Sequence, residues 1–264
     1  DERDSNILCD LLRTNFLPTS HVPSKPTREL RELTRALDDI VKRNIQLKNN
    51  VHRLLERAWV KTPDVTDLFG KKGRQFLNTT GGLSTAQRSV LDLLLVELDH
   101  LDALRGRLEP LIAAHVLQDD DVHLLLGIPG LSIMGAATLK AEIDTVHRFP
   151  NRRTIRANFG LNITQRDSAA VKRHGHISKQ GHGPVRKVLV QAGTHFLRSN
   201  PNARKKRDKL DQKGKPSGVG RVATAVDILD VAYQMLKTRE PYRFIQPQLL
   251  ENKRQMLTQL AGSA

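Results

Sequence analysis

The sequence predicts a mainly α-helical protein: a long antiparallel helical hairpin or coiled coil, followed by a second helical region. Three features point there. Leu30, Leu37, Asn44, Val51 and Ala58 recur seven residues apart, with Leu33, Ile40, Leu47 and Leu54 between them, an unbroken heptad seam on one narrow helix face. A second stripe runs through Val90, Leu91, Leu94, Leu98, Leu101, Leu108 and Ile112 at helical spacing, with Ser84 as its N-cap. Beyond it, VRKVLVQAGTHFL (185–197) and the segment 222–237 through Ala225, Ile228, Leu229, Ala232 and Met235 predict two more amphipathic helices.

Taken in order, residues 1–17 read as a short helix with Ile7, Leu8, Leu11 and Leu12 on one side, stopped by the segment containing Pro18, Pro23 and Pro26. Asn44, at a seam position of the first long helix, would fix register or partner geometry at some cost in stability. The two long helices can pair within one subunit, or each can pair with a copy of itself. Between them, 63–82 is punctuated by Gly70, Gly73, Gly81 and Gly82 and reads as a connector. Within 122–143, LLLGIPGLSIMGAATLKAEI gives two short helical stretches joined by Ile128-Pro129-Gly130-Leu131. This is similar to a helix-hairpin-helix element, where a glycine turn lets backbone N–H groups approach a phosphate, and Gly130 is the candidate residue. Ser132 stands where a second glycine is usual, and a purely structural corner fits the residues equally well. Segment 160–183 reads as a loop, 201–220 as a basic mobile loop that orders on binding, and the tail after Pro241 has little pattern.

Charge narrows the partner. Residues 148–221 hold 19 Lys/Arg against 3 Asp/Glu, while the rest of the chain holds 24 against 25, so the net charge of +15 is concentrated in one region. Cations at that density repel one another unless a polyanion neutralises them, and nucleic acid is the commonest such partner. Aromatics make up only 4% of the chain, which favours contacts to phosphate over base stacking on aromatic platforms. The single Cys9 leaves no internal disulfide or paired-cysteine zinc site and suits a reducing, cytoplasmic setting. There is no apolar run of about 18 residues, so no membrane partner is expected. No Walker-type loop or HExxH supports nucleotide hydrolysis or zinc proteolysis.

Several residues are candidates for chemistry. Ser168 follows Arg166 and Asp167 and precedes Lys172 and Arg173. A serine hydroxyl attacks a phosphodiester only with activation and with cations around the developing oxyanion, and this neighbourhood supplies the cations. Ser178 has similar surroundings, and an ordinary loop serine is the plainer reading of either. Asp1 and Asp4 fall on one helix face and can share a magnesium ion, or simply complement the helix dipole. Arg186 and Lys187 open a predicted helix, where the dipole disfavours cations, so something negative is expected there. His174, His176 and His182, without cysteine or carboxylate partners, fit a polyanion-binding face better than a metal site.

The order of segments carries a resemblance. DERDSNILCDLLRTNFLP, then QLKNNVHRLLE, then LLLGIPGLSIMGAATLKAEIDTVHRFPNRRTIRANFGLN, then RDS and GHISKQGHGPVRKVLVQA is similar to transposases of the insertion-sequence 110 family, over residues 1 to about 243. The resemblance implies a fold with a RuvC-like nuclease domain bearing a DEDD carboxylate set, a coiled coil, and a helical transposase domain with a catalytic serine. It implies recombination of DNA directed by a guide RNA. On this sequence it places the serine at Ser168, eight residues after Gly160. Asp1 and Asp4 take the third and fourth DEDD places, the first two lying upstream, so only a remnant of the RuvC-like domain and half a Mg2+ site are expected. Ser5 stands where relatives have Ala. The implied divisions are a nuclease remnant and linker at 1–26, the helical hairpin at 27–118, the serine transposase domain at 119–243 and a tail at 244–264. Arg166, Lys172, Arg173, Lys179, Arg186 and Lys187 would hold backbone phosphates of DNA or guide RNA. A homo-oligomer formed through the coiled coil is expected, in the cytoplasm and at the nucleoid. The alternative is a noncatalytic nucleic-acid-binding fragment of a decayed element.

Overall fold

The computed structural model describes residues 2–17, 20–168 and 171–264, and for 165–168 and 171–174 the backbone alone. The described chain is eleven α-helices with one two-stranded antiparallel sheet, in agreement with the mainly α expectation. Helix α1 (Glu2–Arg13) has no buried residue, and its Ile7, Leu8 and Leu12 stay exposed. The linker behind it is tied down by Asp144, which accepts from His21 Nε2 at 2.7 Å and from Thr27 Oγ1 at 2.5 Å.

Helices α2 (Lys25–Arg57) and α4 (Thr85–Val116) form the hairpin, within one chain. They run antiparallel: His115 Nε2 near the end of α4 lies 3.1 Å from the Pro26 carbonyl at the start of α2. Leu30, Leu37, Leu47 and Val51 of the heptad seam are buried, and Asn44 reaches across to donate to Asp102 at 2.9 Å, a polar pair that specifies the register. Ser84 caps α4 in a reciprocal capping box with Gln87. The expected connector contains a helix, α3 (Lys71–Thr79), that covers the open end of the hairpin with the buried Leu77. Gly73 acts there as a contact residue, since a Cβ would sit 2.2 Å from the Leu68 carbonyl. Leu47, Val51, Leu55, Leu68, Leu77, Leu91, Leu95, Leu98 and Leu101 make this distal end a core of its own.

The base of the hairpin belongs to a larger core. Leu30, Leu37, Ile112, Ala113 and Val116 pack with apolar residues of α5 (Asp120–Leu125), α6 (Ile133–Ile143), α7 (Arg152–Asn158), α8 (Gly183–Ser199), α10 (Ser217–Thr238) and α11 (Pro247–Ala261). Three sequence expectations are corrected here. Segment 160–183 is largely a β-hairpin, β1 (Ile163–Ser168) and β2 (Val171–Ile177), rather than a loop. Segment 201–220 contains helix α9 (Pro201–Gln212), because Asn200 caps the amides of Asn202 and Ala203 at 3.0 Å, Pro201 presets the first turn, and Gly214 (φ 64°) ends it. The tail forms α11, whose Leu257 is fully buried and whose Lys253 donates to the Leu126 and Ile128 carbonyls at 2.8 and 3.1 Å. Burial there pushes the Lys253 ammonium down to about 8.

One buried carboxylate joins the two parts. Glu142 of α6 is only 2% exposed and accepts from Arg35 Nε and Nη2 of α2 at 2.9 and 3.2 Å. Arg31 of α2 lies 3.6 Å away and His182, the residue just before α8, 3.3 Å away. Arg31 Nε also donates to the Ala141 carbonyl at 2.6 Å, so α2 grips the end of α6 through both side chain and backbone. Burial and the guanidinium groups of Arg35, Arg31 and Arg148 hold His182 below its ordinary value of 6.5, outweighing the attraction of Glu142.

Glu142→Gln leaves two arginines facing a neutral amide and is expected to cost about 2–3 kcal/mol, read as a lower urea midpoint with an unchanged m-value. His182 resists protonation in the folded state more than in the unfolded one. Its contribution is therefore full above about pH 6.5 and is lost as pH falls, so the midpoint should drop between pH 7.5 and 5.5. His182→Gln should remove that part of the slope.

Candidate nucleic-acid interface

The β-hairpin stands on a base made by backbone packing. Gly160 (φ 65°) lies against the strand exit so closely that a Cβ would fall 2.0 Å from the Gln180 carbonyl, and at Gly181 (φ 83°) one would fall 2.1 Å from the Asn158 carbonyl. Only glycine fits both the backbone angle and the space. Ser178 N donates to the Asn162 carbonyl at 2.9 Å and Lys179 N to that of Gly160 at 3.1 Å, closing the base. Arg186 of α8 donates to the Phe159 carbonyl at 2.9 Å and reaches those of Gln180 and Gly181 at 3.4 Å. Phe159 is fully buried against Phe149, and the Arg148 guanidinium lies over the Phe149 ring at 4.1 Å. Arg148 in turn donates to the carbonyls of Ile143 and Glu142 at 3.0 and 2.9 Å. Arg148 and Phe149, Phe159 to Leu161, and Ile177 to Lys179 thus converge on one place.

Above that base, strand pairing sets Ile163 opposite Ile177, Gln165 opposite His174, Arg166 opposite Arg173, Asp167 opposite Lys172 and Ser168 opposite Val171, with a register irregularity between Ile163 and Gln165. Ser168 ends β1 at the far end of the hairpin from the packed base, whereas Ser178 sits in the base itself. Lys179 is exposed, in a left-handed backbone conformation (φ 55°). Arg186 and Lys187 are engaged internally: carbonyl oxygens satisfy Arg186, and Lys187 donates to Asp38 of α2 at 3.1 Å. Protein groups therefore meet the demand for negative charge at the start of α8. Gly130 (φ 84°) backs onto α8, where a Cβ would fall 2.4 Å from the Ala192 carbonyl, and Ser132 caps α6 by accepting from Gly135 N at 3.0 Å. That turn is packed as an internal corner, and one of the free amides of the first α6 turn, Gly135 N, is already taken.

Asp4 lies in the first turn of α1, and Asp1 lies outside the described residues. Among the described residues no group of three or more His, Cys, Asp or Glu side chains is placed to hold a metal ion. No described helix is long and apolar enough to cross a membrane.

Beside the hairpin base is an open cavity of about 880 Å³, walled by Leu161, Ile163 and Ile177 on one side and by Val219, Val222 and Val226 of α10 on the other. Arg153, Arg156, Lys179 and Lys206 stand around it. Two of these cations are paired: Arg156 Nε donates to Asp230 at 2.7 Å and Lys206 to Asp227 at 2.5 Å. The side chains of Arg153 and Lys179 make no hydrogen bond or ion pair among the described residues. On α9 the exposed Arg204, Lys205 and Lys209 extend the same charge. Reading the sequence for chemistry passed over Arg153 and these α9 residues. The charge of RKKRDK was visible, but its folding into a rigid row was not.

Residues 122–207, which hold the corner, the β-hairpin, α8 and part of α9, match the model of the Transposase IS116/IS110/IS902 family. The chain is 24% identical over 252 residues to a probable family 20 transposase of Pseudomonas aeruginosa, covering 92% of this chain and 73% of that protein. It is 25% identical over 220 residues to a transposase for insertion sequence element IS1111A of Coxiella burnetii, covering 82% of this chain and 60% of that one. Over these residues the helical unit that carries the β-hairpin is similar to transposases of the IS116/IS110/IS902 family.

Proposed function

We propose that this chain works in the transposition of an insertion sequence, binding DNA over the basic face and cleaving it with Ser168. The observation that carries this reading is the placement of Ser168 at the end of a β-strand that rises from a tightly packed base within the region of surplus positive charge. In the proposed step the Ser168 hydroxyl attacks a DNA phosphodiester. The Oγ–P bond forms, the bond from phosphorus to one deoxyribose oxygen breaks, and the departing oxygen takes up the proton. Lys172 and Arg173, close to Ser168 in sequence and on the facing strand, would stabilise the oxyanion. The phosphoserine link conserves the energy of the cleaved bond for joining to a second strand. The magnesium implied by the resemblance would need carboxylates beyond Asp1 and Asp4, and the serine step is not routed through it. A guide RNA would share the basic face through phosphate contacts made by Arg153 and the α9 cations. A second copy would dock on the outer side of α4, where Leu93 and Val96 are 69% and 66% exposed in the hairpin.

With DNA carrying the ends of its element, the full-length protein is expected to form an adduct that survives denaturing electrophoresis. Ser168→Ala should abolish it and Ser178→Ala should not. Binding without any adduct in the wild type would favour a noncatalytic nucleic-acid binder. DNA affinity should fall about a thousandfold between 50 and 200 mM salt if six or more phosphates are contacted, and a flat response would exclude a phosphate-dominated interface. Gly160→Ala should lose the adduct while far-ultraviolet circular dichroism stays helical, because the added Cβ displaces only the hairpin base. Leu93→Glu with Val96→Glu should lower the mass measured by sedimentation to that of a monomer; unchanged mass would remove α4 from the interface.

A further inference from the structure

We propose that the cavity beside the hairpin base receives one unpaired nucleotide of the bound nucleic acid, with its base against the apolar walls and its phosphate at the mouth. The inference rests on the nucleic-acid reading above and concerns a site distinct from the Ser168 end of the hairpin. At about 880 Å³ the cavity is of the size that takes small organic ligands. Its walls are aliphatic, and two of them hold apolar surface open to solvent: Ile163 is 62% exposed and Val219 45%. Such surface in a concave site is unfavourable until something covers it.

The surrounding charge selects the occupant. The carboxylates that meet the lining cations, Asp227 and Asp230, are each neutralised, by Lys206 and Arg156. Arg153 and Lys179 remain in the lining without a side-chain partner among the described residues. The occupant is therefore apolar on its faces and anionic at one end. A nucleotide meets both conditions, since a base has flat apolar faces and carries its phosphate on the outside. The polar edge of a base also finds a partner. Asn162 at the wall donates its amide nitrogen to the Arg153 carbonyl at 3.3 Å, which leaves its Oδ1 as an acceptor for an exocyclic amine or a ring N–H. Aliphatic side chains can sandwich a base where aromatics are few, as in this chain. A base paired in a duplex cannot enter such a pocket without leaving the stack, and one already unpaired enters at least cost.

The geometry also sets a distance. Ile163 and Ser168 are the two ends of β1, so about 17 Å of strand separates the cavity wall from the candidate nucleophile. A nucleotide held in the cavity would fix the register of the strand a few nucleotides from the phosphodiester presented at Ser168.

The test is fluorescence anisotropy with the full-length protein and two labelled duplexes of one sequence, one perfect and one with a single unpaired thymidine at its centre. Wild type is expected to bind the second about tenfold more tightly, the scale of one favourable base contact. Ala223→Trp, on the α10 wall, fills the cavity and should cancel that preference while the perfect duplex is bound as before. Val226→Phe, a smaller filling of the same wall, serves as the second variant, and cooperative urea unfolding of both confirms folding. Equal affinity of wild type for the two duplexes overturns the proposal. So does a preference that survives in both filled variants, which would assign it to the flexibility of the interrupted duplex. Failure to bind either DNA at low salt would overturn the nucleic-acid reading itself, and the proposal with it.

Discussion

Glu142 sets the arrangement on which the rest depends. A carboxylate that is 2% exposed persists as a charge only when cations and hydrogen-bond donors replace the lost water. Those partners come from far apart in the sequence: Arg31 and Arg35 from the first long helix and His182 from the end of the β-hairpin segment. Satisfying this one group therefore fixes the helical hairpin, α6 and the start of α8 relative to one another. Arg148 extends the constraint, since the guanidinium that lies over Phe149 also takes up the carbonyl of Glu142. The base of the β-hairpin is held by the same arginine-rich set that holds the coiled coil.

This divides the cations of the basic region into two kinds. Arg148, Arg156, Arg186 and Lys187 are internal fasteners, each paired with a carbonyl or a carboxylate. Arg153, Lys179 and the exposed row on α9 have no such role among the described residues and are available to a polyanion. Charge counting treats all of these as equal. Only their surroundings separate cations that build the platform from cations that use it.

Legibility in the sequence followed the same division between local and long-range causes. Both hairpin helices and the Ser84 cap were readable, because heptad spacing and capping act within a few residues of themselves. Asn44 was readable as a register device, although not that Asp102 would answer it. Helix α3 was hidden behind Gly70 and Gly73, which read as breakers; at Gly73 the missing Cβ permits contact with Leu68. Helix α9 was hidden because a dense run of like charge resembles a solvated loop, while its actual determinants were the quiet pair Asn200 and Pro201. The β-hairpin was hidden by its glycines and cations, which mask the short β-branched ends at Ile163 and Ile177. At the site, the helix dipole called for something negative beside Arg186 and Lys187, and the structure answers that field with Asp38 and three carbonyls. The cavity had no sequence signal, being formed between residues more than forty positions apart.

The order in α9 changes what its charge can do. A mobile basic loop would have to lose backbone freedom at about 1–2 kcal/mol per residue when it settles on a polyanion, and that cost would offset much of the phosphate attraction. Capped by Asn200 and anchored through the same residue to the buried Tyr242 hydroxyl at 2.8 Å, the helix presents its cations already ordered. Burial pushes that hydroxyl up to about 12, so the anchor stays a neutral hydrogen-bonded pair across the physiological range. The Lys206 pair with Asp227 fastens the same helix to α10, the wall of the cavity. On the proposed reading, phosphate contacts on α9 and a base beside α10 would fall on one surface, joined through the Lys206 pair with Asp227.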